Sequence, residues 1–163
     1  MKTLLLIRHA EAGWGDFGQA DIKRSLTKRG MQQAHDIANR ICAKKLVPDA
    51  MFSSTAKRTE MTAQILADNM SFPIEKVLWR KELYLAEADM LFTIAEQADD
   101  ELQSLAIIAH NPGLSELASH LLPHDTMHGM APATAVVITW DVEHWRDIAV
   151  GTGTLSAYLC PDA

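Results

Sequence analysis

Two cysteines in 163 residues, Cys42 and Cys160, are too few and too far apart for a zinc or disulfide framework. Without a C-x-x-C pair they read as small core or edge residues. No apolar run approaches the roughly 18 residues of a membrane-spanning helix, so no membrane partner is expected. The N-terminal run, Thr3 to Ile7, ends in Arg8 and is too short for a signal peptide, which points to the cytoplasm. Basic residues are scarce in one half: residues 82–163 carry one Lys or Arg against thirteen acids, whereas residues 1–81 carry fourteen against eight. A broad basic face is therefore absent, and duplex nucleic acid is not an expected partner. What remains is an ordinary globular composition, 48 % hydrophobic and 22 % charged, at a length suited to one domain over residues 1–163.

The cations of the first half gather around Arg8 in sequence: Lys23, Arg24, Lys28, Arg29, Lys57 and Arg58. That distribution suits a small anion. Lys28, Arg29 and Lys57 read as solvated helix faces, leaving Lys23, Arg24 and Arg58 beside Arg8 as candidate anion contacts.

Two apolar runs organise the chain. Thr3-Leu4-Leu5-Leu6-Ile7 leads into Arg8 and His9, and Leu105-Ala106-Ile107-Ile108-Ala109 leads into His110. Short continuous apolar runs of this kind predict strands buried on both faces, as in a parallel sheet. Ligands of open α/β sheets bind beyond the carboxyl ends of such strands. His9 and His110 are thus expected to face one site.

Between them, Gly13, Gly15 and Gly18 mark turns, and no helix follows at once, so a dinucleotide-binding turn is not read here. Trp14 and Phe17 either line a pocket edge or anchor this loop. Thr27 predicts an N-cap for a helix over residues 28–45, with an apolar stripe from Met31 to Cys42. Gly30 in its first turn costs about 1 kcal/mol relative to alanine, which implies close packing or a close ligand. A short strand over residues 50–52 precedes Ser53-Ser54-Thr55, three candidate caps for a helix over residues 56–70. Arg58 in that first turn opposes the helix dipole, and a bound anion would relieve the conflict.

A third strand is expected over residues 74–78, then an acidic loop and a helix near residues 89–98. Asn111 and Pro112 are expected as N-cap and first residue of the next helix. Strands over residues 133–139 and 147–158 follow, the last antiparallel and at an edge. His120, His124 and His128 stand four apart, but Pro123 denies them one helical face and no regular carboxylate or cysteine completes a set, so no metal or other cofactor is expected. Alternating strands and helices predict a three-layer α/β/α fold with a mainly parallel central sheet.

Four segments carry a resemblance. Arg8-His9-Ala10-Glu11, the stretch Leu26 to Ala34, the stretch Ser53 to Ala63, and His110-Asn111-Pro112-Gly113 resemble the histidine phosphatase (phosphoglycerate-mutase-like) superfamily, and the small size resembles its SixA-type phosphohistidine phosphatases. The resemblance implies that His9 is a nucleophile that becomes phosphorylated. It implies that Arg8, Arg58 and His110 hold phosphoryl oxygens, with Arg24 as a further phosphate contact. It implies no metal. The family's usual glycine after the histidine is Ala10 here. The general acid of larger members falls nearest Glu82, with Glu87 and Asp89 as rivals.

Phosphoryl transfer is mostly positioning and electrostatics, and arginine forks match phosphoryl oxygens. His9 must attack neutral, with its second ring nitrogen donating to a backbone carbonyl. His110 is expected to be protonated. The expected substrate is a phosphorylated protein side chain, phosphohistidine. The alternatives are a small phosphate ester or a non-catalytic module that binds phosphate, and a phosphate or sulfate ion is expected to fit the site.

Overall fold

The computed structural model describes residues 1–124 and 129–161. In chain order the elements are β1 (Lys2–Arg8), α1 (Lys28–Ala43), β2 (Ala50–Ser53), α2 (Lys57–Asn69), β3 (Val77–Trp79), α3 (Ala88–Glu96), β4 (Ser104–Ala109), α4 (Gly113–Leu121), β5 (Ala135–Trp140) and β6 (Thr154–Leu159). The six strands form one sheet in the order β3-β2-β4-β1-β5-β6. Strands β1 to β4 run parallel; β5 is antiparallel to β1, and β6 is antiparallel to β5 at the edge.

The two-residue period of a strand explains the layers. Leu4 and Leu6 of β1 point to one face and pack with α3 and α4; Leu5 and Ile7 point to the other and pack with α1 and α2. Leu105 and Ile107 against Ala106 and Ile108 divide β4 in the same way. Both faces are apolar because both are covered, which is the three-layer α/β/α arrangement.

The parallel register sets the site. Arg8 lies opposite Ala109, and the His9 amide donates to the Ala109 carbonyl at 3.2 Å. Ser53 lies opposite Ile108, and the Ser54 amide donates to the Ile108 carbonyl at 3.0 Å. The carboxyl ends of β1, β4 and β2 therefore finish at one level, with His9, His110 and Ser54 as neighbours.

Several local expectations change. Residues 74–76 form a 3₁₀ turn, so the third strand starts only at Val77. Helix α2 is preceded by Ala56, whose side chain caps nothing; the nearby hydroxyls are used elsewhere, Thr59 Oγ1 donating to the Ser54 and Ala56 carbonyls. Helix α4 starts at Gly113 after Pro112, yet Asn111 Oδ1 still accepts from the Ser115 amide at 3.1 Å and its hydroxyl at 2.9 Å. Gly13, Gly15 and Gly18 carry G-x-G-x-x-G spacing, but the chain runs from them into a single 3₁₀ turn at Asp21–Lys23 and not into an α-helix. Among the described residues no helix is long and apolar enough to cross a membrane.

Thr27 caps α1 as expected, its Oγ1 accepting from the Gly30 amide at 2.9 Å. Gly30 itself is a close-packing position: a Cβ there would stand 2.1 Å from the Glu11 carbonyl oxygen and 3.1 Å from the Glu11 amide nitrogen. Those atoms are backbone, two residues beyond His9, and cannot swing aside. Although alanine is the better helix former, Gly30→Ala is predicted to destabilise the protein by about 1–3 kcal/mol through overpacking. Urea unfolding measures this; a variant more stable than wild type would contradict it.

Candidate active site

His9 follows the last residue of β1 and is held on both sides. The next residue, Ala10, is fully buried and donates its amide to Thr62 Oγ1 of α2 at 3.0 Å. Ala10 is not among the residues with positive φ, so alanine fits where the family's usual residue is glycine. The His9 ring lies in a cavity of about 680 Å³ lined also by Arg8, Arg24, Arg58, Asp21 and His110. Its Nδ1 stands 2.7 Å from the Ala10 carbonyl oxygen. A carbonyl only accepts, so this contact assigns the proton to Nδ1 and leaves Nε2 with its lone pair. Burial, with Arg58, Arg8 and Arg24 nearby, lowers the His9 pKa to about 4. The ring is therefore neutral at neutral pH.

The guanidinium groups come from three elements. Arg8 ends β1 and donates to the Met130 carbonyl at 2.8 Å. Arg24 follows the 3₁₀ turn and donates to the Gly13 carbonyl at 3.0 Å, with its guanidinium carbon 5.5 Å from the Trp14 ring centre. Arg58 lies in the first turn of α2 and is only 2 % exposed. A buried arginine at a helix N-terminus needs a counter-charge, and Asp21 provides it: Arg58 donates to the Asp21 carbonyl at 2.9 Å and to its Oδ2 at 3.0 Å. Asp21 Oδ1 also accepts from Arg24 Nε at 3.0 Å, and Oδ2 accepts from the Tyr84 hydroxyl. The Tyr84 hydrogen bond, with Arg58 and Arg24, holds the Asp21 carboxyl down at about 2, so it is ionised.

His110 meets His9 with ring centres 5.4 Å apart. Tyr84 packs edge-on against it at 5.5 Å. The expectation of a protonated His110 is corrected: burial first, then Arg58 and His9, lowers its pKa to about 3. Its Nε2 lies 2.8 Å from Ser54 Oγ, which already accepts from the Ala56 amide. The hydroxyl can give its own hydrogen to Nε2, and in that arrangement the His110 proton sits on Nδ1.

Buried polar atoms are normally hydrogen-bonded. Among the described residues, the buried side-chain atoms without a partner are Arg8 Nε, Arg58 Nε and His110 Nδ1. All three are N–H donors, and all three residues line the one cavity. Such a set is complementary to an oxyanion.

Other candidates lie elsewhere. Glu82, Glu87 and Asp89 are exposed and do not line the cavity; Glu82 Oε2 is 3.5 Å from Arg80 Nε. The carboxylates at the cavity are Asp21 and Glu11, and Glu11 accepts from the Thr27 hydroxyl at 2.9 Å. Trp14 stands on the rim, 91 % exposed, while Phe17 is fully exposed and anchors nothing. No three His, Cys, Asp or Glu side chains group around a common metal-sized point among the described residues, and His128 lies outside those residues. Asp21 and Tyr84 escaped the motif pattern; the i, i+3 pairing of Asp21 with Arg24 in a basic loop is the one local signal that marks the former.

Comparison with known proteins identifies the family. The model of the histidine phosphatase superfamily (branch 1) matches residues 4–106. The structure of an Agrobacterium tumefaciens chain assigned as a phosphohistidine phosphatase SixA superposes with a TM-score of 0.83 at 26 % identity, covering 98 % of each chain. A protein histidine phosphatase SixA solved with tungstate shares the fold, with a TM-score of 0.83 at 21 % identity over 98 % of this chain and 97 % of that one. The mitochondrial serine/threonine-protein phosphatase Pgam5 of Drosophila melanogaster is 33 % identical over 77 residues, 47 % of this chain and 26 % of its own length. This chain thus spans about a quarter of the Pgam5 relatives it matches. Phosphoserine phosphatase 1 of Hydrogenobacter thermophilus is 35 % identical over 78 residues, 47 % of this chain and 36 % of the relative. The family match runs from β1 into β4 and includes Arg8, His9, Arg24 and Arg58, and the chain belongs to the histidine phosphatase superfamily.

Proposed function

We propose that this chain is a metal-independent phosphatase that works through a phosphohistidine at His9 and acts on phosphohistidine in proteins. The observation that carries the proposal is the set of three unpartnered buried donors, Arg8 Nε, Arg58 Nε and His110 Nδ1, around a histidine whose Nε2 is unprotonated. Phosphoryl oxygens supply the missing acceptors. Three guanidinium groups supply the positive charge that a metal supplies in other phosphoryl-transfer sites.

The chemistry runs in two steps. His9 Nε2 attacks phosphorus and forms an N–P bond while the substrate's P–N bond breaks. The leaving imidazole departs neutral when its second nitrogen carries a proton. Water then attacks phosphorus, Nε2 leaves, and inorganic phosphate is released. Neutral His110 contributes a hydrogen bond from Nδ1. Of the carboxylates at the cavity, Asp21 is ionised and so a poor proton donor, and Glu11 is engaged by the Thr27 hydroxyl. An alkoxide must take its proton in the act of leaving, whereas an imidazole already protonated on its second nitrogen leaves neutral, which favours an N–P substrate over a phosphate ester. The rim, with Trp14 exposed, is accessible to a side chain carried on another protein. The phosphoserine and serine/threonine phosphatases among the relatives favour phosphate esters as the second reading.

Two measurements test this. Neutral-quench labelling with a ³²P-phosphohistidine protein is expected to trap a phosphoenzyme in wild type. His9→Ala should abolish it and lower turnover by roughly 10³-fold or more, as loss of a nucleophile does. Full turnover by that variant would end the proposal, and comparable kcat/KM on a panel of phosphomonoesters would favour the second reading.

The second measurement follows protonation. Imidazole NMR titration should place His9 near pH 4 and His110 near pH 3, well below the ordinary 6.5. Because both values are lowered, the unfolded chain binds these protons first. Stability is full above pH 6.5 and is lost as pH falls through the folded values, by up to about 1.4 kcal/mol per pH unit for each ring. A ring titrating near 6.5 would contradict the buried, cation-flanked site.

A further inference from the structure

Asp21 is a negative charge built into a cavity that suits anions, and the proposed chemistry gives it no step. It is held from four directions: Arg58 at its carbonyl and Oδ2, Arg24 at Oδ1, and Tyr84 at Oδ2. It lines the cavity with His9 and His110. A phosphoryl group bound there shares Arg24 and Arg58 with this carboxylate.

That sharing has a direction. The carboxylate occupies guanidinium donors before an anion arrives, and like charges in a partly desolvated site oppose each other. Bound phosphate carries about two charges, whereas a metaphosphate-like group in transit spreads less charge over three oxygens. A fixed negative neighbour therefore opposes the bound end states more than the transferring group, and a loosened product leaves faster.

We infer that Asp21 is an internal competing anion that sets how weakly the cavity holds phosphate and so speeds its release. The effect on release rests on the phosphatase reading; the effect on affinity does not. A role confined to positioning Arg24 and Arg58 has the opposite sign, since removing the carboxylate would then weaken phosphate binding. The fold separates the two. The Asp21 carbonyl holds Arg58 and the Gly13 carbonyl holds Arg24 whatever side chain stands at position 21. Asp21 also lies on a surface turn with its side chain 47 % exposed, so exchange there disturbs no core packing.

Calorimetric titration with inorganic phosphate at pH 8 tests this on wild type, Asp21→Asn and Asp21→Ser. Both variants are expected to bind phosphate about ten-fold more tightly, the order set by removing one like charge a few ångströms from a bound anion. Product inhibition should strengthen by the same factor while KM falls. Unchanged or weaker phosphate binding in either folded variant overturns the inference. The titration needs no turnover, so a wild type that forms no phosphoenzyme would end the phosphatase reading and leave this result to be judged on affinity alone.

Discussion

The hydrogen-bonded register between β1 and β4 is the constraint on which the site depends. It sets Arg8 beside Ala109 and ties the His9 amide to the Ala109 carbonyl. Two apolar strands of similar make-up, nearly a hundred residues apart in the chain, thereby deliver two imidazoles to within 5.4 Å of each other. A slip of one residue would send every side chain of β1 to the opposite face and expose Leu4 to Ile7 to the wrong layer. The burial of those residues in both layers is what makes the register firm, so the core and the site share one cause.

Electrostatics then decides the state of each group. Burial in the partly enclosed cavity disfavours the imidazolium form of both histidines, and the neighbouring Arg58 and Arg8 add to it, so both rings are neutral. The same cations need a counter-charge, which Asp21 gives to Arg24 and Arg58 at once. The balance leaves an imidazole with a free lone pair, buried donors without partners among the described residues, and a carboxylate held between two guanidinium groups. The conflict between Arg58 and the dipole of α2 is resolved by the same residue.

Much of this was legible in the sequence. The apolar runs ending in His9 and His110 marked the parallel strands because nothing polar interrupts them. Arg58 stood out because an arginine at a helix start is otherwise unfavourable, and Gly30 because a helix rarely carries glycine without a close neighbour. Asp21 was hidden: its partners Arg58 and Tyr84 are 37 and 63 residues away, and only folding brings them together. Ser54 resembled a cap but serves His110, since α2 begins later than the hydroxyl cluster. Glu82 followed the third strand in order, yet its turn is exposed and directs it to Arg80. The charge of His110 was misread because sequence neighbours say little about burial.

The central claim is that His9 Nε2 and the unpartnered donors of Arg8, Arg58 and His110 converge on one phosphoryl position. A crystal structure with vanadate tests it most directly. The account predicts vanadium bonded to His9 Nε2, with its oxygens within hydrogen-bonding distance of Arg8, Arg58 and His110 Nδ1. Vanadate bound away from His9, or at His9 with those three donors unengaged, would contradict it.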